Sequence, residues 1–190
     1  MRLGRKKELV QVKIFPHQKN PKPYKSFTQA KNEFDQTYQH RKTIDQSMVP
    51  VDGKIINNIR IRNDDGEPLE EYYKWQFIAG LVNSGLYFKD YIGVEVHFPK
   101  GTTGALPIKI DGCIFDSKDW LMYYQKWKAD SKDTHALEFL RTHCIAVMEF
   151  KRKEEDIERV FNVQVRSYLK EPDSSYVLGF LYDQERLFIF

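Results

Sequence analysis

Alternation of apolar and polar residues along the chain predicts seven β-strands. Successive side chains of a strand point to opposite faces, so a half-buried strand alternates with a period of two. The segment Lys100-Gly-Thr-Thr-Gly104 is typical of a turn, and it predicts that the strands on either side of it form a hairpin. The seven strands are predicted at residues 9–15, 55–62, 92–98, 107–115, 145–151, 176–181 and 186–190.

Apolar residues spaced three or four positions apart predict helices between these strands. Ser26 is a suitable cap for a short amphipathic helix that follows it. A longer helix is expected over residues 68–84, because proline suits a first helical turn and Glu70 and Glu71 favour its positive end. Further helices are predicted at 120–127, 134–142 and 154–170. The order helix, three strands, helix, strand predicts an α/β fold with a mixed central sheet flanked by helices.

Composition adds the expectation of one folded domain. The chain has 190 residues, of which 41% are hydrophobic and 14% aromatic, enough for one sizeable core. The net charge of +3 is distributed unevenly, because residues 1–42 carry eleven Lys and Arg against three Asp and Glu. Such a basic arm favours a polyanionic partner, although a solvated surface explains it equally well.

The cysteines and the hydropathy pattern indicate a cytoplasmic protein. Cys113 and Cys144 each lie in an apolar run, so we expect buried thiols rather than a disulfide, as suits a reducing compartment. No apolar run is long enough to span a bilayer, and the first residues lack the apolar core of a signal peptide. We therefore expect no contact with a membrane.

The strand at 145–151 holds a charged pair. Residues two apart in a strand share a face, so Glu149 and Lys151 project together while Met148 and Phe150 point to the other side. Charges at the end of an apolar strand are costly to bury unless they pair with each other or with an ion. The pair is therefore a candidate functional site.

A second acid interrupts the strand at 107–115. Asp111 lies among apolar residues, and Gly112 after it allows the close approach of another group. If the two strands are neighbours, the carboxylates of Asp111 and Glu149 converge. Two carboxylates and Lys151 are what metal-assisted phosphodiester hydrolysis requires, since hard oxygens bind Mg²⁺ and a cation stabilises phosphate charge.

These residues resemble a known nuclease motif. Asp111 followed by Glu149-Phe-Lys151 is similar to the Asp and Glu-x-Lys of the PD-(D/E)XK nuclease superfamily. Ile110 stands where the motif has proline, and 38 positions separate the two acids. The helix ahead of them resembles the family's first core helix, which often supplies a further acid, here Glu71 or alternatively Glu70.

A downstream motif narrows the resemblance. Gln164 and Tyr168 are similar to the Gln-x-x-x-Tyr motif of the motor subunits of type I restriction enzymes. They share one stripe of the helix predicted at 154–170, on the side that should face the sheet. The resemblance covers residues 68–190 as a nuclease core, and it leaves residues 1–67 as a basic strand-helix extension packed on or leading into that core.

The resemblance implies a restriction-endonuclease-like core with a defined chemistry. Asp111, Glu149, the Phe150 carbonyl and Glu71 would hold Mg²⁺, for which Mn²⁺ can substitute, and Lys151 would position the attacking water. The implied substrate is double-stranded DNA. Type I enzymes also imply methyltransferase and specificity subunits and a helicase-like motor that uses ATP. The chain carries no ATP-binding loop, so the native protein is expected to continue beyond residue 190.

Two other functions stay open from the sequence. The chain is alternatively another PD-(D/E)XK nuclease, of a phage or repair type, or a non-catalytic module that binds nucleic acid. Outside the motif, Asp116 and Asp119 are interpreted as a polar turn, and Lys153 with Arg152 as either a phosphate contact or a solvated strand end. Three histidines are interpreted as structural: His97, His135 and His143.

Overall fold

The computed structural model describes residues 25–99, 108–152, 159, 178–183 and 186–189. The described helices are α1 (Phe27–Tyr38), α2 (Glu70–Asn83), α3 (Trp120–Ala129) and α4 (Thr134–His143), with a short 3₁₀ helix at Lys89–Tyr91. The strands are β1 (Thr43–Gln46), β2 (Asn57–Arg60), β3 (Ile92–Phe98), β4 (Ile108–Phe115), β5 (Cys144–Lys151), β6 (Leu178–Asp183) and β7 (Arg186–Ile189). The predicted α/β class is confirmed.

The larger sheet is mixed and has the order β3-β4-β5-β6-β7. The first three strands form an antiparallel meander, and β7 is antiparallel to β6. The pairing of β5 with β6 is parallel, which requires a crossover connection between them. The helix predicted at 154–170 belongs to that connection and lies outside the described residues, apart from Arg159. A smaller antiparallel sheet joins β1 to β2.

Helices cover both faces of the larger sheet. On one face, α2 packs over Val94, Ile114 and Met148. On the other face, α3 and α4 cover Cys113 and Val147 together with other buried residues. The sheet therefore lies in the centre of the described structure, with an apolar core on each side.

The described part of the N-terminal extension belongs to the first core. Ser26 caps α1 with a capping box, in which the Gln29 N–H donates to the Ser26 Oγ at 3.1 Å. The Phe27 ring meets Phe77 of α2 edge to face, with 5.4 Å between the ring centroids. The segment continues the same hydrophobic cluster through Phe34, Ile44, Val49, Ile59 and Ile61. The predicted strand at 9–15 lies outside the described residues.

The region between α1 and α2 differs from the prediction at three points. The strand β1 was not predicted, because its four residues are too few to show a period. β2 begins at Asn57 rather than at residue 55. The long helix begins at Glu70 and not at residue 68, because the two residues before it are extended and pair with the segment after β2. Arg62 forms a β-bridge with Pro68, and the Leu69 N–H donates to the Ile61 carbonyl at 2.9 Å.

The cysteines lie in the core behind the meander. Cys113 and Cys144 are both buried and neither is in a disulfide, in agreement with the expectation. Burial, together with the neighbouring Cys144 thiol, raises the pKa of Cys113 well above its ordinary value. Among the helices in the described ranges, none has the length and hydropathy needed to cross a membrane.

Candidate active site

The register of β4 and β5 brings the two predicted acids together. Gly112 pairs with Met148 and Cys113 pairs with Val147, and Asp111 and Glu149 directly adjoin this paired segment. The strands are linked here by a buried hydrogen bond, in which the Phe150 N–H donates to Asp111 Oδ2 at 3.1 Å.

Both carboxylates are removed from solvent. Asp111 is 9% exposed and Glu149 is 4% exposed. Burial and the nearby Asp111 charge raise the pKa of Glu149 to about 7, although the hydrogen bond from Lys151 opposes this shift. Burial disfavours a charged carboxylate, and a like charge disfavours it further. Burial and the charge of Asp111 therefore make the ionised form of Glu149 less favourable than it is in water.

Lys151 lies against Glu149 as the strand period predicts. Its Nζ donates to Glu149 Oε1 at 2.5 Å, and the side chain is 17% exposed. Burial by itself lowers the pKa of Lys151, but the carboxylates of Glu149, Glu70 and Asp111 outweigh it and the pKa is raised. The ammonium group stays charged within this cluster.

Glu70 is electrostatically coupled to the same cluster. Burial is the largest cause of the raised pKa of Glu70. The charge of Lys151 lowers this pKa, and the charge of Asp111 raises it. Glu71, the first choice from the sequence, pairs instead with Lys74, whose Nζ lies 2.6 Å from Glu71 Oε1. The two acids diverge because consecutive helical residues are rotated by about 100°. Both lie in the first turn of α2, where the helix dipole favours negative charge.

A second charged group adjoins this cluster, and sequence reasoning missed it. The Lys74 ammonium also lies 3.3 Å from Glu95 Oε1, and Lys109 approaches the same Glu95 oxygen at 3.6 Å. Burial by itself lowers the pKa of Lys74, but the charges of Glu71, Asp111 and Glu95 raise it overall. A lysine inside a largely apolar helix was the available signal, because such a residue needs a buried partner.

The backbone is unusual beside Asp111. Glu95 has φ of 53°, a left-handed conformation that is rare for a residue with a side chain. It lies on β3 between the register pairs Val94–Gly112 and Val96–Ile110. Strained backbone of this kind is concentrated at functional sites. It therefore supports a functional role for this part of the sheet.

The close approach expected at Gly112 is made by a side chain. A Cβ at this position would lie 2.6 Å from Met148 Cε and 3.3 Å from Met148 Cβ. The glycine therefore allows the methionine of the neighbouring strand to pack beside Asp111. Packing of the Met148 side chain is therefore sufficient to explain the glycine, and no ligand is needed.

Several other predicted residues lie apart from the cluster or outside the described residues. Gln164 and Tyr168 lie outside the described residues. Arg152 pairs with Glu67 at 3.0 Å, with both side chains well exposed, so it ends the strand in solvent. His143 pairs with Asp116 at 2.6 Å, and His97 lies 3.1 Å from Asp52, as structural histidines would.

The donor atoms at the site fit Mg²⁺. Mg²⁺ is usually held by one or two carboxylates and keeps several waters, and Asp111 and Glu149 supply two acids that repel each other. The Phe150 side chain is fully buried, so this residue can contribute its backbone alone. In the parts of the chain that the structure describes, no group of three or more His, Cys, Asp or Glu side chains is arranged to hold a metal.

None of the protein-family models, curated proteins or solved structures that were compared matches this chain. Function is therefore inferred from the motif and from the geometry described above.

Proposed function

We propose that this chain is a Mg²⁺-dependent nuclease domain of the PD-(D/E)XK type, with a restriction-endonuclease-like core, that hydrolyses phosphodiester bonds in double-stranded DNA. One observation carries the proposal. Asp111 and Glu149 lie next to the last register pair of two adjacent strands, Asp111 accepts from the Phe150 N–H, and Lys151 contacts Glu149. These are the acid, acid and lysine of the motif, separated along the chain and adjacent in the fold.

The order of the elements supports the same proposal. A helix, α2, precedes the antiparallel strands β3, β4 and β5, and β6 lies parallel to β5. The two acids lie on the second and third strands of this meander, as in the core that the sequence resemblance implies. A fold alone does not establish an activity, so the side chains carry the argument and the topology supports it.

Each side chain has a distinct task in the proposed reaction. Bound by the carboxylates, Mg²⁺ would lower the pKa of a water molecule and neutralise charge on the phosphate. Asp111 is held in place for this by the Phe150 N–H. Lys151 donates from the same face and can orient the water and stabilise charge on the phosphate oxygens. One phosphorus–oxygen bond forms to water and one breaks, leaving an alcohol and a phosphate monoester.

The electrostatics of Glu149 support an ion-binding site. The pKa of Glu149 rises from 4.5 to about 7, and a tenfold change in proton affinity corresponds to about 1.4 kcal/mol. Ionising Glu149 above neutral pH therefore costs at most about 3 kcal/mol in the metal-free protein. A cation bound at the site would offset this cost.

The narrower proposal is that the domain is the cleavage module of a type I restriction-modification enzyme. Gln164 and Tyr168 support it through the sequence motif. In that case the methyltransferase and specificity subunits and an ATP-driven motor are its partners, and the basic residues of the segment 1–42 offer contacts to the DNA backbone. Another nuclease of the superfamily would share the chemistry and lack these partners.

DNA cleavage by site variants tests the proposal. Linear and supercoiled double-stranded DNA are incubated with Mg²⁺ or Mn²⁺ and the wild-type chain, Asp111→Asn, Lys151→Met or the surface control Glu138→Gln. We expect the wild type and the control to cut equally, EDTA to abolish cutting, and each site variant to lose about 100-fold or more. Equal cutting by all four proteins would refute the site.

A binding module gives a different result in the same experiment. Such a protein would bind the DNA in a mobility-shift assay without cutting it, with or without a divalent cation. Its affinity would also be unchanged in Asp111→Asn and Lys151→Met. Circular dichroism of each variant confirms that a lost activity is not a lost fold.

A further inference from the structure

A cavity opens at the surface between the β1–β2 connection, the 3₁₀ helix and the start of α3. Its volume is about 420 Å³, which is within the range of clefts that bind ligands. Five apolar residues from the β1–β2 connection and from α3 line it: Met48, Pro50, Ile55, Trp120 and Leu121. The cavity is therefore large enough to hold a large apolar side chain of another molecule.

Trp120 gives this cavity a rigid wall. Its ring stacks on Phe115 with 4.6 Å between the ring centroids, and its Nε1–H donates to the Asp90 carbonyl at 2.9 Å. A Cβ at Gly93 would lie 2.6 Å from the same ring, so β3 also holds the indole in place. A wall that is already ordered loses little conformational entropy when a ligand binds.

Exposed apolar side chains are concentrated on the segments that form the cavity. Among the described residues, six large hydrophobic side chains are exposed. Five of them belong to these segments or lie within a few positions of them in the chain: Ile55, Ile56, Leu86, Phe88 and Met122. A small ligand would be enclosed by the cavity alone, whereas exposed apolar residues beyond it are typical of a contact with another protein.

Two lysines without a partner among the described residues also line the cavity. The side chains of Lys89 and Lys118 are exposed, and neither ammonium group forms a hydrogen bond or an ion pair within the part of the chain that the structure describes. Asp90 is the one acid among the described lining residues, so the lining carries a net positive charge. Carboxylates beside an apolar group would complement this arrangement.

The cavity and the proposed active site lie at opposite ends of the β4–β5 pair. Phe115, on which Trp120 stacks, pairs with Cys144 at the start of β5. Glu149 lies five residues after Cys144, and Lys151 ends the strand. Five residues of a strand span roughly 17 Å. A partner at the cavity therefore does not need to cover the carboxylates.

We propose that this cavity is the docking site for a peptide segment of a partner protein. A large apolar side chain of the segment enters the cavity against Ile55 and Trp120, and neighbouring Asp or Glu residues bind Lys89 and Lys118. A DNA backbone would use the lysines and leave the apolar wall uncovered, whereas an acidic and apolar peptide uses both. The docking site is independent of the proposed nuclease chemistry.

Selection from a random peptide display library tests this docking site. The wild-type chain is the target, and Ile55→Asp is the counter-target that removes peptides bound elsewhere. Ile55 is 50% exposed, so this substitution should leave the fold intact. We expect the enriched peptides to share a large apolar residue with Asp or Glu close to it. Enrichment of no peptide, or of peptides without acidic residues, would overturn the proposal.

Fluorescence anisotropy with a labelled selected peptide measures the contribution of each part of the cavity. The Kd should rise about tenfold or more in Ile55→Asp and in Lys89→Glu/Lys118→Glu. The control Lys132→Glu reverses an exposed lysine outside the cavity and should bind as the wild type does. Circular dichroism verifies the fold of each variant. Equal affinity for the wild type and both cavity variants would overturn the proposal.

Two competitors separate the peptide from other occupants. Octanoate, a small apolar carboxylate, should displace the peptide weakly, and octanoate binding as tight as that of the peptide would overturn the proposal in favour of a small-molecule site. Double-stranded DNA should not displace the peptide, and displacement would assign the lysines to a DNA surface and overturn it. Failure of the wild type to cut DNA would refute the nuclease alone, because peptide binding requires neither metal nor DNA.

Discussion

Replacing Glu149 with glutamine tests the electrostatic account of the site without any assumption about substrate. Glutamine has nearly the same shape, and its amide oxygen can still accept from Lys151, but it cannot ionise. The substitution therefore removes one buried negative charge beside Asp111 and keeps the packing of β5. We expect the pH dependence of stability to change more than stability at any single pH.

The sign follows from proton binding in the folded and unfolded states. With a pKa raised from 4.5 to about 7, the folded chain binds more protons than the unfolded chain between these values, so stability falls as pH rises through this window. The total loss due to Glu149 is at most about 3 kcal/mol. The raised pKa of Glu70 acts in the same direction. The pKa of Asp52 is lowered, so the stability that this carboxylate gives to the folded chain is lost only at more acidic pH.

The measurement is urea-induced unfolding in EDTA at about pH 5 and about pH 8. The wild type should lose up to about 3 kcal/mol more than Glu149→Gln between these pH values, because the other titrating groups are largely common to both. The exposed-site variant Glu138→Gln should behave as the wild type. Adding Mg²⁺ at the higher pH should restore stability to the wild type and much less to Glu149→Gln. Parallel pH profiles for the wild type and Glu149→Gln would refute the reasoning.

Two further substitutions test the packing that positions the site. Tyr182→Phe removes the hydroxyl that donates to Gln76 Oε1 at 2.6 Å, so a buried acceptor loses its partner and the unfolding free energy should fall by about 1 to 3 kcal/mol, measured by denaturant titration. Gly93→Ala places a Cβ about 2.6 Å from the buried Trp120 ring, which should cost about 1 to 3 kcal/mol in the same assay. An unchanged denaturation midpoint in either variant would contradict the corresponding contact.

The sequence by itself determined the local elements and indicated the candidate site residues. Periodicity located α2, α3, α4 and the meander strands to within a few residues, since long amphipathic patterns are set by which face is buried. The two-residue period of β5 sufficed to place Glu149 and Lys151 on one face. Asp111 was recognisable as a charge within an apolar strand, which needs a reason to be buried.

The tertiary structure decided which charges meet. Pairing of β4 with β5 brought Asp111 close to Glu149 although 38 positions separate them, and no local pattern encodes that pairing. The choice between Glu70 and Glu71 depended on the rotation of α2 over the sheet, and the partners of Lys74 come from different elements. A sequence specifies the cost of burying each charge, whereas the energy that offsets it depends on distances between remote residues, which only packing of the whole chain sets.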